Sequence, residues 1–233
     1  GMCPVKENVL SVEDEGKIKI VRTKKNAYQS RTVILALGAE HRTLGIPGEE
    51  ELSGMGVSYC ATCDGAFYKD AAAAVVGGGN TAVEDALFLS RICRKVYLIH
   101  RREELRADRI LQERLNACGN VGILWNTVPV AVEGQDEVTG LKIRNVKTEE
   151  EQLLPVDGVF IAVGVVPNTE KLKELMDTDE NGYIIAGEDC VTTAPGLFAA
   201  GDLRTKPLRQ VVTAVADGAC AVISAQRYLL QNS

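Results

Sequence analysis

Between Asn8 and Leu37, apolar and polar positions alternate in short runs: Val9-Leu10-Ser11-Val12, a polar tip at Glu13-Asp14-Glu15-Gly16, Ile18-Lys19-Ile20-Val21, and Thr32-Val33-Ile34-Leu35-Ala36-Leu37. Such runs, broken by an acidic glycine turn, predict three strands, the first two forming a hairpin and the third running into Gly38-Ala39. Residues 41–58 lose periodicity and are rich in Gly, Glu and Pro, which predicts a connection with a boundary near residue 43. From Ala72 the pattern becomes an apolar strand, Gly77-Gly78-Gly79, a helix of about 14 residues, and a second apolar strand Lys95-Val96-Tyr97-Leu98-Ile99. Together these make a βαβ unit, the opening of a doubly wound α/β domain.

A further helix is expected over residues 105–117, with Leu105, Ile110, Leu111 and Leu115 near one face and Gly119-Asn120 as its stop. Short runs at 123–125, 128–132 and 141–144 predict a β-meander hung on the sheet, and 156–163 a buried strand ending at Gly164. Pro167-Asn168 marks a second boundary. The tail reads as a strand at 197–200, then Gly201-Asp202, then a helix from about residue 209 to 230. Small and apolar residues on all sides of that helix (Val211, Val212, Ala214, Val215, Ala216, Gly218, Ala219) predict that it is buried.

Composition narrows the class. The chain has 233 residues, 45% hydrophobic and 25% charged, which excludes fibrous and disordered readings. A net charge of −6 gives no general draw toward phosphate backbones or anionic lipid, so neither nucleic acid nor membrane is expected as a partner. No apolar run reaches the roughly 18 to 20 residues that span a bilayer, and a cytoplasmic location is expected.

Seven cysteines is an odd count for a disulfide framework, and Cys3, Cys93, Cys118, Cys190 and Cys220 are scattered as reduced fillers. The other two form Cys60-Ala61-Thr62-Cys63. Zinc would need two more ligands, and the chain has no second C-x-x-C and only His41 and His100 to offer, so no metal is expected. A redox dithiol needs only these two sulfurs and is favoured on chemistry. Asp64, next in line, is either the proton carrier of that chemistry or an acidic cap on a following helix.

Gly77-x-Gly79-x-x-Ala82, between strand and helix, has the spacing of a dinucleotide loop: a tight turn, close backbone approach for a pyrophosphate, and a small residue where helix meets sheet. Asn80 and Thr81 open the helix, whose first N–H groups and dipole favour phosphate. About twenty residues on, where selectivity for NAD calls for an acid, stand His100-Arg101-Arg102, with Arg106 beyond. Guanidinium groups there suit a 2′-phosphate, so NADPH is favoured over NADH; the alternative is a solvated basic turn partly neutralised by Glu103 and Glu104. Asp202, at the end of the 197–200 strand, could accept a hydroxyl from a polyol such as the ribitol of FAD. The helix opening at Gln210 could direct its positive end at a flavin.

Taken together these strings resemble the low-molecular-weight, bacterial-type thioredoxin reductases. The resemblance runs in family order through Val33-Ile34-Leu35-Ala36-Leu37-Gly38-Ala39, Ile46-Pro47-Gly48-Glu49, Gly56 to Tyr68 around the cysteine pair, Val76 to Ala86, His100-Arg101-Arg102 with Arg106-Ala107, Gly164 with Pro167-Asn168-Thr169, Phe198-Ala199-Ala200-Gly201-Asp202, and Arg209-Gln210. It implies a relay from NADPH to FAD to the Cys60/Cys63 disulfide to thioredoxin. In that relay Cys63 faces the flavin, Cys60 attacks thioredoxin, and Asp64 is the acid-base group. It further implies NADPH on Gly77, Gly79, Asn80, Thr81, Ala82, His100, Arg101, Arg102 and Arg106; FAD on Gly38, Gly201, Asp202, Arg209, Gln210 and Val211; a homodimer; and a swivel of the NADPH domain on two linkers near 40–45 and 160–168.

The implied architecture is a Rossmann-like NADPH domain (44–162), with parallel sheet and meander, inserted in an FAD domain of the same architecture (1–43 and 163–233). One departure is large. The family's first βαβ unit, carrying its own Gly-x-Gly-x-x-Gly for the FAD pyrophosphate, has no counterpart here, so a truncated form with impaired FAD binding is expected. Competing readings are the flavoprotein reductase of a peroxiredoxin system, against which Ala61-Thr62 and the Arg101/Arg102 pair argue; a ferredoxin-dependent relative, which needs no intact NADPH loop; and a non-catalytic module that binds NADP and docks thioredoxin.

Overall fold

In the computed structural model, which describes residues 3–232, the chain opens on a three-stranded antiparallel ribbon. Its strands are β1 (Val9–Glu15), β2 (Ile18–Thr23) and β3 (Ala27–Ser30), in the order β1-β2-β3. The third was not legible as a strand: Ala27-Tyr28-Gln29-Ser30 is exposed throughout and shows no alternation, and it is held by pairing with β2 from Lys19↔Ser30 to Arg22↔Ala27. The run expected as one strand over 32–37 is ordered only as β4 (Val33–Leu35), followed by β5 (Ala39–His41). The chain divides into two units, residues 1–40 with 165–233 and residues 41–164, and crosses between them at Glu40/His41 and Gly164/Val165.

Unit 41–164 is built on five parallel strands. In chain order it holds β6 (Val57–Ser58), α1 (Ala61–Asp64), β7 (Ala72–Gly77), α2 (Asn80–Leu89), β8 (Lys95–Ile99), α3 (Arg109–Asn116), β9 (Val121–Leu124), β10 (Thr127–Gly134), β11 (Val138–Asn145), β12 (Glu151–Leu154) and β13 (Gly158–Ala162). The sheet order is β6-β13-β7-β8-β9, and β10-β11-β12 form a separate antiparallel meander. The first run expected in the meander is thus the edge strand of the main sheet, paired parallel to β8 from Val96↔Val121 to Ile99↔Leu124, and β12 takes its place in the meander. β7 is a continuous apolar run because both its faces are covered. Ala72, Ala74 and Val76 pack with Val132, Leu141 and Ile143 of the meander strands, and Ala73 and Val75 with Val83, Ala86 and Leu89 of α2.

Two helices differ from the pattern. α2 has ten residues where about 14 were expected. α3 begins at Arg109 rather than 105, because the preceding backbone is tied elsewhere: Arg106 N–H donates to Gly78 O at 2.7 Å and Asp108 N–H to Asn80 Oδ1 at 2.8 Å. Ile110, placed on the buried face by periodicity, is exposed, while Leu115 is buried.

The remainder of the first unit holds β14 (Val165–Pro167), β15 (Leu197–Ala199) and α4 (Val211–Gln231). β15 pairs parallel with β4, from Leu197↔Val33 to Ala199↔Leu35. Phe198 and Ala200 pack on Ala221 and Ala225 of α4, and Leu197 and Ala199 pack with Leu35, Ile184 and Leu203. The burial expected all round α4 is not observed. Within the described residues its buried positions are Asp217, Ala221 and Ala225, whereas Val211, Val212, Val215, Val222, Ile223 and Leu230 are exposed. Apolar content alone did not reveal which face lacks a neighbour. No helix among the described residues is long and apolar enough to cross a membrane.

Candidate active site

β6 ends at Ser58, and the chain turns through Tyr59 and Cys60 into α1, where Cys60 and Cys63 are joined as a disulfide with Cα atoms 5.3 Å apart. The Cys60 carbonyl accepts the N–H groups of Cys63 (3.2 Å) and Asp64 (3.1 Å), so the short helix closes the ring that two intervening residues allow. Cys60 is half-buried and Cys63 exposed. The Asp64 carboxylate caps no helix; its Oδ2 accepts the Ser58 hydroxyl at 2.7 Å.

The residues ahead of the pair are fixed by a buried carboxylate. Glu49 accepts the backbone N–H groups of Leu44 (2.9 Å) and Gly45 (2.7 Å) and the Tyr59 hydroxyl (2.9 Å). Burial pushes the Tyr59 hydroxyl up to about 12, and the bond to Glu49 adds to the shift. The His41 ring stacks on Tyr59 with centroids 5.3 Å apart. Beyond the pair, Phe67 stands 84% exposed, an aromatic ring in solvent three residues past Asp64. The two buried free thiols, Cys93 and Cys190, are pushed up to about 11 by burial and are poor nucleophiles. Among the described residues no group of three or more His, Cys, Asp or Glu gathers to hold a metal.

In the same unit the glycine loop forms one wall of a cavity of about 600 Å³. Its lining includes Gly77, Gly79, Thr81, His100, Arg101 and Arg106 from the motifs, together with Arg42, Val128 and Gly164, which no motif marked. A side chain at Gly77 would meet Ala162 O at 2.5 Å and the Ala82 methyl at 2.6 Å, so this Gly/Ala pair is what lets β7 turn directly into α2. No side chain caps α2, which leaves its first N–H groups available to an anion.

Three motif residues serve the loop itself. Asn80 Nδ2 donates to Asp108 Oδ2 at 2.9 Å and its Oδ1 takes the Asp108 N–H, locking the basic segment to the start of α2. Ala82 is fully buried. His100 is buried with Nδ1 3.0 Å from Gly77 O and Nε2 2.9 Å from Glu104 O, a ring wedged under the loop. Arg102 is exposed and stands off the cavity wall.

The other unit gathers its own set. Gly38 and Gly201 adopt φ of 67° and 85°, left-handed turns that glycine makes without strain. Asp202 Oδ1 is buried without a hydrogen-bond partner, an unpaired acceptor that carries a desolvation cost until a donor arrives. An unpaired buried acceptor is the chemistry a ribitol hydroxyl would satisfy, so the residues present fit this part of a flavin. Arg209 lies over the Tyr183 ring at 3.8 Å, and Gln210 and Thr213 form a capping box at the start of α4. Val211, the first residue of that helix, is 81% exposed.

Behind these residues is a buried ionic cluster that no motif announced. Asp217 accepts Arg204 Nε (2.8 Å), Arg204 Nη2 (2.7 Å), Lys206 Nζ (2.7 Å) and the Gly201 N–H (2.8 Å). Burial pushes the Asp217 carboxyl up, but these donors outweigh it and hold the group well below the usual carboxylate range.

Comparison with known proteins decides the family. The model of the pyridine nucleotide-disulphide oxidoreductases matches residues 4–218. The thioredoxin reductase of Listeria monocytogenes is 48% identical over 223 residues, 95% of this chain and 70% of that protein. The chain belongs to the thioredoxin reductases of that family.

Solved thioredoxin reductases have the same fold. That of Streptococcus pyogenes superposes with a TM-score of 0.92 at 45% identity, over 97% of this chain and 74% of the other. That of Giardia duodenalis reaches 0.90 at 31% identity, over 97% and 75%. For this thioredoxin reductase chain, sequence reasoning missed Ser58, Glu49, Arg42 and the Asp217 cluster. Glu49 and Ser58 carried a faint signal, as members of the strings Ile46-Pro47-Gly48-Glu49 and Gly56 to Tyr68; Asp217 carried none, since its partners come together only in the fold.

The crowding at the loop yields a prediction. A methyl group at Gly78 would lie 2.2 Å from the His100 ring. Gly78→Ala should therefore cost about 1–3 kcal/mol in overpacking, read as a lowered midpoint in denaturant unfolding; an unchanged midpoint would show that the ring gives way without cost.

Proposed function

We propose that the chain is an NADPH- and FAD-dependent thioredoxin-disulfide reductase. The observation that carries this reading is the Cys60–Cys63 disulfide on an exposed turn, with Asp64 beside it, in the unit that also holds the glycine-loop cavity. A bound FAD would supply two-electron chemistry between NADPH and that disulfide.

The chain's own residues do the rest. The α2 N-terminus and Gly77–Gly79 hold the NADPH pyrophosphate, and Arg101, Arg102 and Arg106 the 2′-phosphate. Gly38, Asp202 and the start of α4, with Arg209, Gln210 and Val211, hold the flavin end. In the reduced chain the Cys60 sulfur attacks one sulfur of the thioredoxin disulfide; that S–S bond breaks and the leaving sulfur takes up a proton. Cys63 then attacks the Cys60 sulfur of the mixed disulfide, which re-forms Cys60–Cys63 and releases the second thioredoxin thiol. Two electrons and two protons pass in all, and Asp64 moves protons at the sulfurs. Exposed Phe67 offers thioredoxin an apolar contact beside the pair. We take the working form to be a cytoplasmic homodimer; five unpaired cysteines suit a reducing compartment.

The test is NADPH-dependent reduction of thioredoxin with FAD supplied, run beside a peroxiredoxin substrate. Turnover on thioredoxin alone supports the reading, and turnover on the peroxiredoxin system alone overturns it. NADPH binding without turnover would identify the non-catalytic docking module. Arg101→Ala/Arg102→Ala should weaken NADPH about 10- to 100-fold, the value of one charge-assisted contact of about 1.5–3 kcal/mol, and leave NADH unchanged in the same titration.

A further inference from the structure

Ser58 is the last residue of β6, buried to 5% exposure, and its hydroxyl stands at the meeting point of the dithiol turn. It donates to Asp64 Oδ2 at 2.7 Å and accepts the Cys60 N–H at 3.1 Å. The Cys60 carbonyl lies at 3.4 Å, but a hydroxyl has one proton and the shorter, charge-assisted bond takes it. One oxygen atom thus links the backbone of the first cysteine to the carboxylate that follows the second. β6 pairs with β13 through Ser58↔Phe160, which fixes the hydroxyl on a sheet rather than a loop.

We propose that Ser58 is a positioning residue for thiol–disulfide exchange, holding the Asp64 carboxylate by Oδ2 so that Oδ1 is the oxygen that exchanges the proton with the dithiol. The proposal rests on the reading of Asp64 as the acid-base group. Asp64 Oδ1 has no hydrogen-bond partner among the described residues, whereas Oδ2 is engaged, so the carboxylate is divided into an anchored and a working oxygen. Removing the hydroxyl therefore frees the carboxylate to turn and takes the working oxygen out of its fixed place beside the dithiol.

The experiment uses the full chain, reduced with dithiothreitol and freed of it, mixed with oxidised thioredoxin, and needs no flavin. The rate of thioredoxin thiol formation is followed at neutral pH for the wild type and for Ser58→Ala, Ser58→Thr, Asp64→Asn and the double variant Ser58→Ala/Asp64→Asn. Ser58→Ala should slow exchange about five- to tenfold, the value of one charge-assisted hydrogen bond of about 1–1.5 kcal/mol. In the Asp64→Asn background the same substitution should add no further loss, because its effect acts through the carboxylate. Ser58→Thr, which keeps the hydroxyl, should restore the rate.

A rate slowed in Asp64→Asn but unchanged in Ser58→Ala overturns the role of Ser58 alone. A rate unchanged in Asp64→Asn overturns the reading of Asp64 and the proposal with it. A slowing by Ser58→Ala that is as large in the Asp64→Asn background as in the wild type assigns Ser58 to structure only and also overturns the proposal.

Discussion

Cys63→Ser, chemically reduced and mixed with oxidised thioredoxin, is expected to accumulate a mixed disulfide through Cys60, while Cys60→Ser forms none. The two cysteines are not equivalent in the fold. Cys60 precedes the helix and is half-buried, with its carbonyl taken by the N–H groups of Cys63 and Asp64, whereas Cys63 lies within the helix and is exposed. If Cys60 attacks thioredoxin and Cys63 resolves, removing the resolving thiol leaves the intermediate with no intramolecular route to products. Loss of turnover should be complete in both variants, and only the trapped adduct separates their roles. Mass spectrometry under non-reducing conditions reads it directly; an adduct in Cys60→Ser instead would reverse the assignment.

Asp217→Ala is expected to have the largest effect on stability. The substitution leaves Arg204, 1% exposed, with the exposed Glu188 at 3.2 Å as its remaining carboxylate partner, and leaves the buried Lys206 ammonium with none. Breaking a buried ion pair from one side costs about 3–5 kcal/mol, against a typical total of about 5–15 kcal/mol. The loss should be confined to the unit that contains residue 217. Hydrogen exchange should rise in peptides covering 197–217 and stay unchanged in those covering 72–99.

The pH dependence has a definite sign. The folded Asp217 carboxyl is held below its unfolded value, so its contribution is fully present above about pH 4 and is lost as pH falls toward the folded value. The stability gap between wild type and Asp217→Ala should close on acidification; a gap constant down to strongly acidic pH would contradict the account of the cluster.

Much of the architecture was legible because it rests on local chemistry. The βαβ unit showed through because β7 is apolar on both faces and the loop after it must be glycine to clear Ala162 and Ala82. The dithiol was legible because C-x-x-C is itself the chemical unit. What escaped depends on distant neighbours. β3 is polar and exists through its ladder with β2, and Val121–Leu124 joins the main sheet rather than the meander by a parallel pairing that local pattern does not encode. The late start of α3 depends on hydrogen bonds to Gly78 and Asn80, which lie twenty-eight residues away for each partner. Ser58 reads as a small polar residue at the end of an aperiodic connection until the fold pairs it in β6 and brings Asp64 back to it.

Those bonds from Arg106 and Asp108 to the glycine loop make the basic segment and the loop one mechanical part. On the proposed NADPH reading, anyone redesigning this chain to prefer NADH would be tempted to replace residues 100–108 as a block, and that graft would sever the Asn80–Asp108 clasp and remove the wedge supplied by His100. The severable part is narrower: the Arg106 tie runs through its backbone N–H, so the side chains of Arg101, Arg102 and Arg106 can be exchanged, while His100 and Asp108 belong to the chassis that shapes the loop. On that reading coenzyme preference and coenzyme affinity share a framework, and the three guanidinium groups are the part of it free to vary.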